Sequence, residues 1–191
     1  MSSPHLTSFR SDAPGGSPGD DGAASGPGAA RSPRGLGGPA GLVLSLAVVA
    51  VVAALGASWT DTAPGSWYDR LDQPPWNPPD WLFGPVWTAL YAAMAVAAWL
   101  VARRGVQRRE VRAALVLYAA QLVFNLGWTA VFFALQRPGW AVAEIAILLG
   151  LVVATIVAFR RVRPVAAYLL VPYAAWVTYA GALTVAIAAL N

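Results

Sequence analysis

Five apolar stretches, each about 19–25 residues long, dominate this chain: roughly 41–59, 81–102, 111–135, 138–159 and 165–189. A helix needs about 20 residues to cross about 30 Å of hydrocarbon. A spanning helix satisfies its own backbone hydrogen bonds, which lipid cannot do. Outer-membrane strands run about 9–11 residues and alternate in polarity, so these stretches are not strands of a barrel. The sequence therefore predicts an all-α integral membrane protein, a bundle of five transmembrane helices over residues 41–191. Its charged fraction of 12% fits no ordinary soluble domain, where about 25% is usual.

Residues 1–40 read differently. They contain nine glycines, six prolines and seven serines. Such a segment cannot bury enough apolar surface to offset its ordering entropy, so a disordered tail is expected there. The first apolar stretch has the length and lead-in of a retained helix rather than of a cleaved signal peptide.

Orientation follows from arginine. The tail and the second and fourth loops carry 11 of the 13 arginines, while the first and third loops carry Arg70 and Arg137. Basic loops stay in the cytoplasm. The N-terminus is expected there, with the C-terminus and the long first loop outside. The residue inventory also excludes much chemistry. There is no cysteine or lysine, and the single histidine is His5. The spans thus lack a thiolate, a Schiff-base amine and an imidazole for metal or proton work, and no metal site is expected.

The first loop is the most informative segment. It reads Trp67-Tyr68-Asp69-Arg70-Leu71-Asp72-Gln73-Pro74-Pro75-Trp76-Asn77-Pro78-Pro79-Asp80-Trp81. Four prolines in six residues stiffen the backbone and forbid helix. Its tryptophans suit an aromatic belt at the headgroup level or a stiff lid over a pocket; an ordinary belt needs no rigid loop. The third helix sets Gln121, Asn125, Trp128 and Phe132 on one face at helical spacing, suited to interhelical hydrogen bonds, to lining a pocket, or to both. Trp140, Glu144 and Ile147 share a face of the fourth helix, and Trp176, Ala180 and Leu183 a face of the fifth. Glu144 lies near enough to its helix start to reach the interface. Pro172 should bend the fifth helix and open space beside it.

These motifs resemble the TspO/MBR family, known as tryptophan-rich sensory proteins, translocator proteins or peripheral-type benzodiazepine receptors. The resemblance covers about 59–191. It rests on Trp67-Tyr68, Pro74-Pro75-Trp76-Asn77-Pro78-Pro79, Gly84-Pro85-Val86-Trp87, Leu90-Tyr91, Gln121-Leu122 through Asn125 and Trp128, Gly139-Trp140, and Leu169-Leu170-Val171-Pro172-Tyr173 through Trp176. It implies a five-helix bundle whose cavity is closed by the first loop and receives protoporphyrin IX or other hydrophobic small molecules. By the same resemblance the ligand-binding residues would be Trp67, Tyr68, Trp76 and Pro78 of the loop, with Trp87, Asn125, Trp128, Trp140, Ala143, Ile147, Trp176, Ala180 and Leu183 of the helices. Trp87 and Trp176 match a pair that some bacterial members need to degrade protoporphyrin in light.

Gln73 stands where many members carry lysine. Leu183, Val185 and Ala189 replace an animal sterol motif of the family, and Val116 and Ala120 replace a glycine pair at its dimer contact; a homodimer stays open. The expected activity is that of a tetrapyrrole-binding sensor or regulator. An enzyme for light- and oxygen-dependent porphyrin destruction and a porphyrin transporter are the alternatives. The expected partners are membrane lipid and the small molecule, with no nucleic acid and no cofactor.

Overall fold

The computed structural model describes residues 37–191. The tail expected over 1–40 lies outside the described residues up to position 36, and its last residues already belong to the first helix. That helix, α1, spans Pro39–Trp59. It is followed by α2 (Phe83–Ala102), α3 (Arg109–Thr129), α4 (Pro138–Val162), the short α5 (Pro164–Leu169) and α6 (Val171–Leu190). Among the described residues all regular structure is helical. With their extensions these elements form five helices long and apolar enough to cross a membrane, ending with Pro164–Leu190. The α1, α4 and α5 helices each open on proline, at the position where a missing N–H costs nothing and φ is already helical.

The helices close into a ring in the order α1, α2, α5–α6, α4, α3 and back to α1. Pro172 stands just beyond an interruption of its span. The fifth span breaks at Leu170, whose N–H donates to the carbonyl of Ala167 at 3.0 Å in a tightened turn before α6 starts.

A second irregularity lies at the end of α3. The chain continues as a π-helical turn, Ala130–Ala134. The Leu135 N–H bonds back to the carbonyl of Ala130 at 2.8 Å, and Arg137 to that of Val131 at 3.1 Å. Gln136 follows with φ at 55°, the left-handed region that side chains other than glycine seldom occupy. The extra residue in the turn aims two consecutive phenylalanines, Phe132 and Phe133, at the same side of the bundle.

The two halves of the ring are packed differently. Toward the arginine-rich loops, Met94, Ala95, Ala97 and Val101 of α2 and Val111, Val152, Phe159 and Ala166 of the other helices are all buried in one apolar core. Small side chains let the backbones approach closely there. Toward the first loop the interior is aromatic.

Candidate functional site

The site is built on the loop between α1 and α2. Prolines stiffen it between two single tight turns, Tyr68–Arg70 and Asp80–Leu82, and the rest stays out of helix. Tyr68 turns inward and is only 3% exposed. Its hydroxyl donates to Asn77 Oδ1 at 2.9 Å. Asn77 Nδ2 donates to Gln73 Oε1 at 2.6 Å, and Gln73 Nε2 donates to the Tyr68 carbonyl at 2.8 Å. This closed circuit uses Gln73 as both donor and acceptor, a role a lysine ammonium could not fill. Burial pushes the Tyr68 phenol up to about 12.

The loop is also fastened to α6. Tyr179 donates its hydroxyl to the Trp76 carbonyl at 2.8 Å, and the two rings meet edge-on at 5.8 Å. Asn191 accepts from the Asp72 N–H at 3.0 Å and donates to the Asp72 carbonyl at 3.1 Å.

Beneath this lid lies a cavity of about 20 Å³, room for roughly one water. Tyr68 caps it, Trp128 and Phe132 of the α3 end form one wall, and Trp176, Ala180 and Leu183 of α6 form the other. The aromatic rings fill most of the space. Phe132 stacks on Trp128 at 5.7 Å and takes the edge of Trp67 at 5.7 Å. Phe83 meets Trp176 edge-on at 6.0 Å. The indole N–H groups of Trp128 and Trp176 are both buried with no acceptor. Such a group costs about 1–3 kcal/mol when left unpaired, so each is a donor that an acceptor would stabilise.

The floor is polar. Tyr91 donates to Asn125 Oδ1 at 2.6 Å, Asn125 Nδ2 to the Tyr173 hydroxyl at 3.2 Å, and Tyr173 to Gln121 Oε1 at 2.9 Å. Gln121 and Asn125 are each 1% exposed. The face predicted for Gln121, Asn125, Trp128 and Phe132 is therefore the buried face of α3. Its amides tie α2, α3 and α6 together.

The residues assigned by resemblance divide into three groups. Tyr68, Trp128, Trp176, Ala180 and Leu183 line one cavity. Trp67, Trp76, Pro78, Trp87 and Asn125 form its surroundings. Trp67 backs the Phe132 wall, Trp76 and the half-buried Pro78 belong to the lid, and Asn125 belongs to the floor. Trp87 stacks on Tyr91 at 5.3 Å and lies edge-on to Tyr173. Trp140, Ala143 and Ile147 are not brought to this cavity: they lie on the outward face of α4, with Trp140 74% exposed. The physical reason is the rotation of α4, which buries Ala141, Ile145, Leu148 and Val152 instead. Glu144 borders that outward face and rests against Gly127 of α3. Phe83, Phe133 and Tyr179 join the cavity without having been singled out from sequence. Tyr179 had a usable signal, since it falls one turn from Trp176 on α6.

Comparison with known proteins agrees with this architecture. The TspO/MBR family profile matches residues 44–190. The tryptophan-rich protein TspO of Chlorobaculum tepidum is 43% identical over 151 residues, covering 78% of this chain and 95% of its own. The tryptophan-rich sensory protein of Cereibacter sphaeroides is 43% identical over 143 residues, covering 73% and 88%. The translocator protein of Bos taurus is 39% identical over 130 residues, covering 68% and 77%. With five apolar spans, a tryptophan-lined interior and a profile match across nearly all of the bundle, the chain is an integral membrane protein and belongs to the TspO/MBR family.

Proposed function

We propose that this protein is a membrane sensor that binds a tetrapyrrole, protoporphyrin IX or a close relative, in the cavity beneath the first loop. The observation that carries this reading is an apolar aromatic cavity, two of whose lining tryptophans hold buried indole N–H groups without an acceptor. A flat ring stacks on indole and phenyl faces, each contact adding about 0.5–1.5 kcal/mol beyond area burial. Its nitrogens or carboxylates supply the missing acceptors.

The ring is far larger than the cavity as it stands, since ligand sites usually span about 300–1,000 Å³. Binding therefore requires the lid to lift and Tyr68 to leave its place. A loop that moves when the ligand arrives is also a means of signalling. By the arginine distribution this loop faces the outside of the cell. A phosphatase reporter fused after Asn191, active only outside the cytoplasm, should be active; silence there would reverse the orientation.

Destruction of the porphyrin in light is a second reading, supported by the position of Trp176, an oxidisable indole on the cavity wall. Trp87, its expected partner, packs instead on Tyr91 and Tyr173. Binding without turnover is thus the reading favoured. The test is to titrate purified protein with protoporphyrin IX and follow the Soret band in the dark and under illumination. A shifted band that persists in light is the expected result. Loss of the band with a defined product would establish the enzyme, and no shift in the dark would refute binding.

A further inference from the structure

The cavity beneath the lid has a polar neighbour. A second cavity, about 320 Å³ in volume, opens between the end of α1, the loop and the end of α3. Arg70, Asp61 and Gln136 bring polar groups to it, and Trp59 and Trp67 bring flat apolar walls. Phe133 lines both cavities. The loop likewise divides itself between them, with Trp67 in the polar one and Tyr68 in the apolar one.

The partition is therefore one layer of side chains thick. It consists of Phe133, packed on Tyr68 at 5.6 Å, and Trp67, packed on Phe132 at 5.7 Å. Both phenylalanines ride on the π-helical turn, whose irregular bonding is common where helices serve function. The lid motion needed to admit a ring withdraws Tyr68 from Phe133 and carries Trp67, its neighbour on the same loop, out of that layer. The two spaces then join, apolar within and cationic at the mouth.

Arg70 is the cation of that mouth. Among the described residues it has no carboxylate within ion-pair distance, the ion pair present being Arg108–Glu110 beyond the other end of the bundle. One of its N–H groups donates to the Gly65 carbonyl at 3.0 Å. A guanidinium has five, so most remain for an acceptor, and its planar fork matches a carboxylate.

We propose that the two cavities form a single amphipathic site, in which Arg70 receives a carboxylate of a ring-shaped acid whose apolar body lies between Trp128 and Trp176. This rests on the tetrapyrrole reading and deepens it, because protoporphyrin carries propionate arms on one edge of its ring. Asp61 shares the polar cavity with Arg70 and opposes the same carboxylate. Arg70 is exposed, and solvent screens it, so the selectivity is modest. An exposed pair contributes up to about fivefold in affinity.

The test compares protoporphyrin IX with its dimethyl ester, which keeps the ring and loses both charges. Wild type, Arg70→Gln, Arg70→Lys and Asp61→Asn are titrated in neutral detergent micelles. Wild type should prefer the acid by about threefold to fivefold. Arg70→Gln should abolish the preference while binding the ester as wild type does, and Arg70→Lys should keep most of it. Asp61→Asn should raise affinity for the acid alone, a gain that a folding defect cannot mimic. Equal preference in wild type and Arg70→Gln, or an equal loss for acid and ester that Arg70→Lys does not restore, would overturn the assignment of Arg70 and leave porphyrin binding standing. Failure of wild type to bind either compound would overturn both.

Discussion

The two halves of the bundle solve the packing problem in opposite ways. The arginine side fills its interior with alanine, valine, one methionine and the stacked Tyr118–Phe159 pair, and its buried Thr155 bonds back to its own helix. The loop side fills its interior with rings, leaves two indole N–H groups without acceptors, and interrupts its helices with a π-helical turn and a proline loop. Between them runs the Tyr91–Asn125–Tyr173–Gln121 chain. A membrane interior gains little from the hydrophobic effect between helices, so tight van der Waals packing holds one half rigid. The other half is kept loosely committed, with internal contacts that a ligand can replace.

The largest effect should come from breaking the rigid half. Phe159 is fully buried and stacks on Tyr118 at 5.9 Å. Phe159→Ala should cost about 3–5 kcal/mol, read as equilibrium unfolding in mixed micelles. Where the variant stays folded, its porphyrin affinity should match wild type; a selective loss of binding would dissolve the division between halves.

The polar boundary comes next. Tyr173→Phe removes one donor and one acceptor from the buried chain. Hydrogen bonds inside membrane proteins average about 0.6 kcal/mol, so a stability loss of about 1 kcal/mol is expected. A loss near that of Phe159→Ala would mean that the floor, and not the small-residue packing, holds the bundle.

The lid should respond least in stability and most in kinetics. Tyr68→Phe deletes the bond to Asn77 and should cost less than about 1.5 kcal/mol, while speeding porphyrin association in stopped-flow. An unchanged rate would show that the circuit does not restrain the lid.

The Tyr68 phenol gives a pH signature of the same restraint. Its proton is held to about 12 in the closed lid, against about 10 in a released one. The closed state is therefore fully favoured below pH 10 and loses stability as pH rises from 10 to 12. Tryptophan emission should report lid release across that interval, and the difference between wild type and Tyr68→Phe isolates the contribution of this residue.

The same division marks what could be read from sequence. Span number and approximate limits were legible because length and hydropathy alone determine them. The buried face of α3 was legible because amides and rings at helical spacing have only one apolar neighbourhood to enter. The rotation of α4 was not. Apart from Glu144 its middle turns are apolar on every side, and a single acid able to reach the interface does not mark Ile145 as inward and Ile147 as outward. The π-helical turn was hidden as well, since one added residue in Ala130–Ala134 leaves no compositional trace. The Tyr68–Asn77–Gln73 circuit depends on the path of a folded loop, which prolines stiffen but do not aim.

If a ligand takes the space the lid now fills, a molecule with its lid locked cannot bind it. The chain has no cysteine. Asp72→Cys and Asn191→Cys therefore place a unique thiol pair where the loop already meets α6, closable with a short bifunctional thiol reagent and reopened by reduction. Protoporphyrin binding, followed at the Soret band, should be lost when the bridge is closed and return in the same sample once it is reduced. Equal binding with the bridge closed and open would mean that the ring enters or rests somewhere the lid does not control.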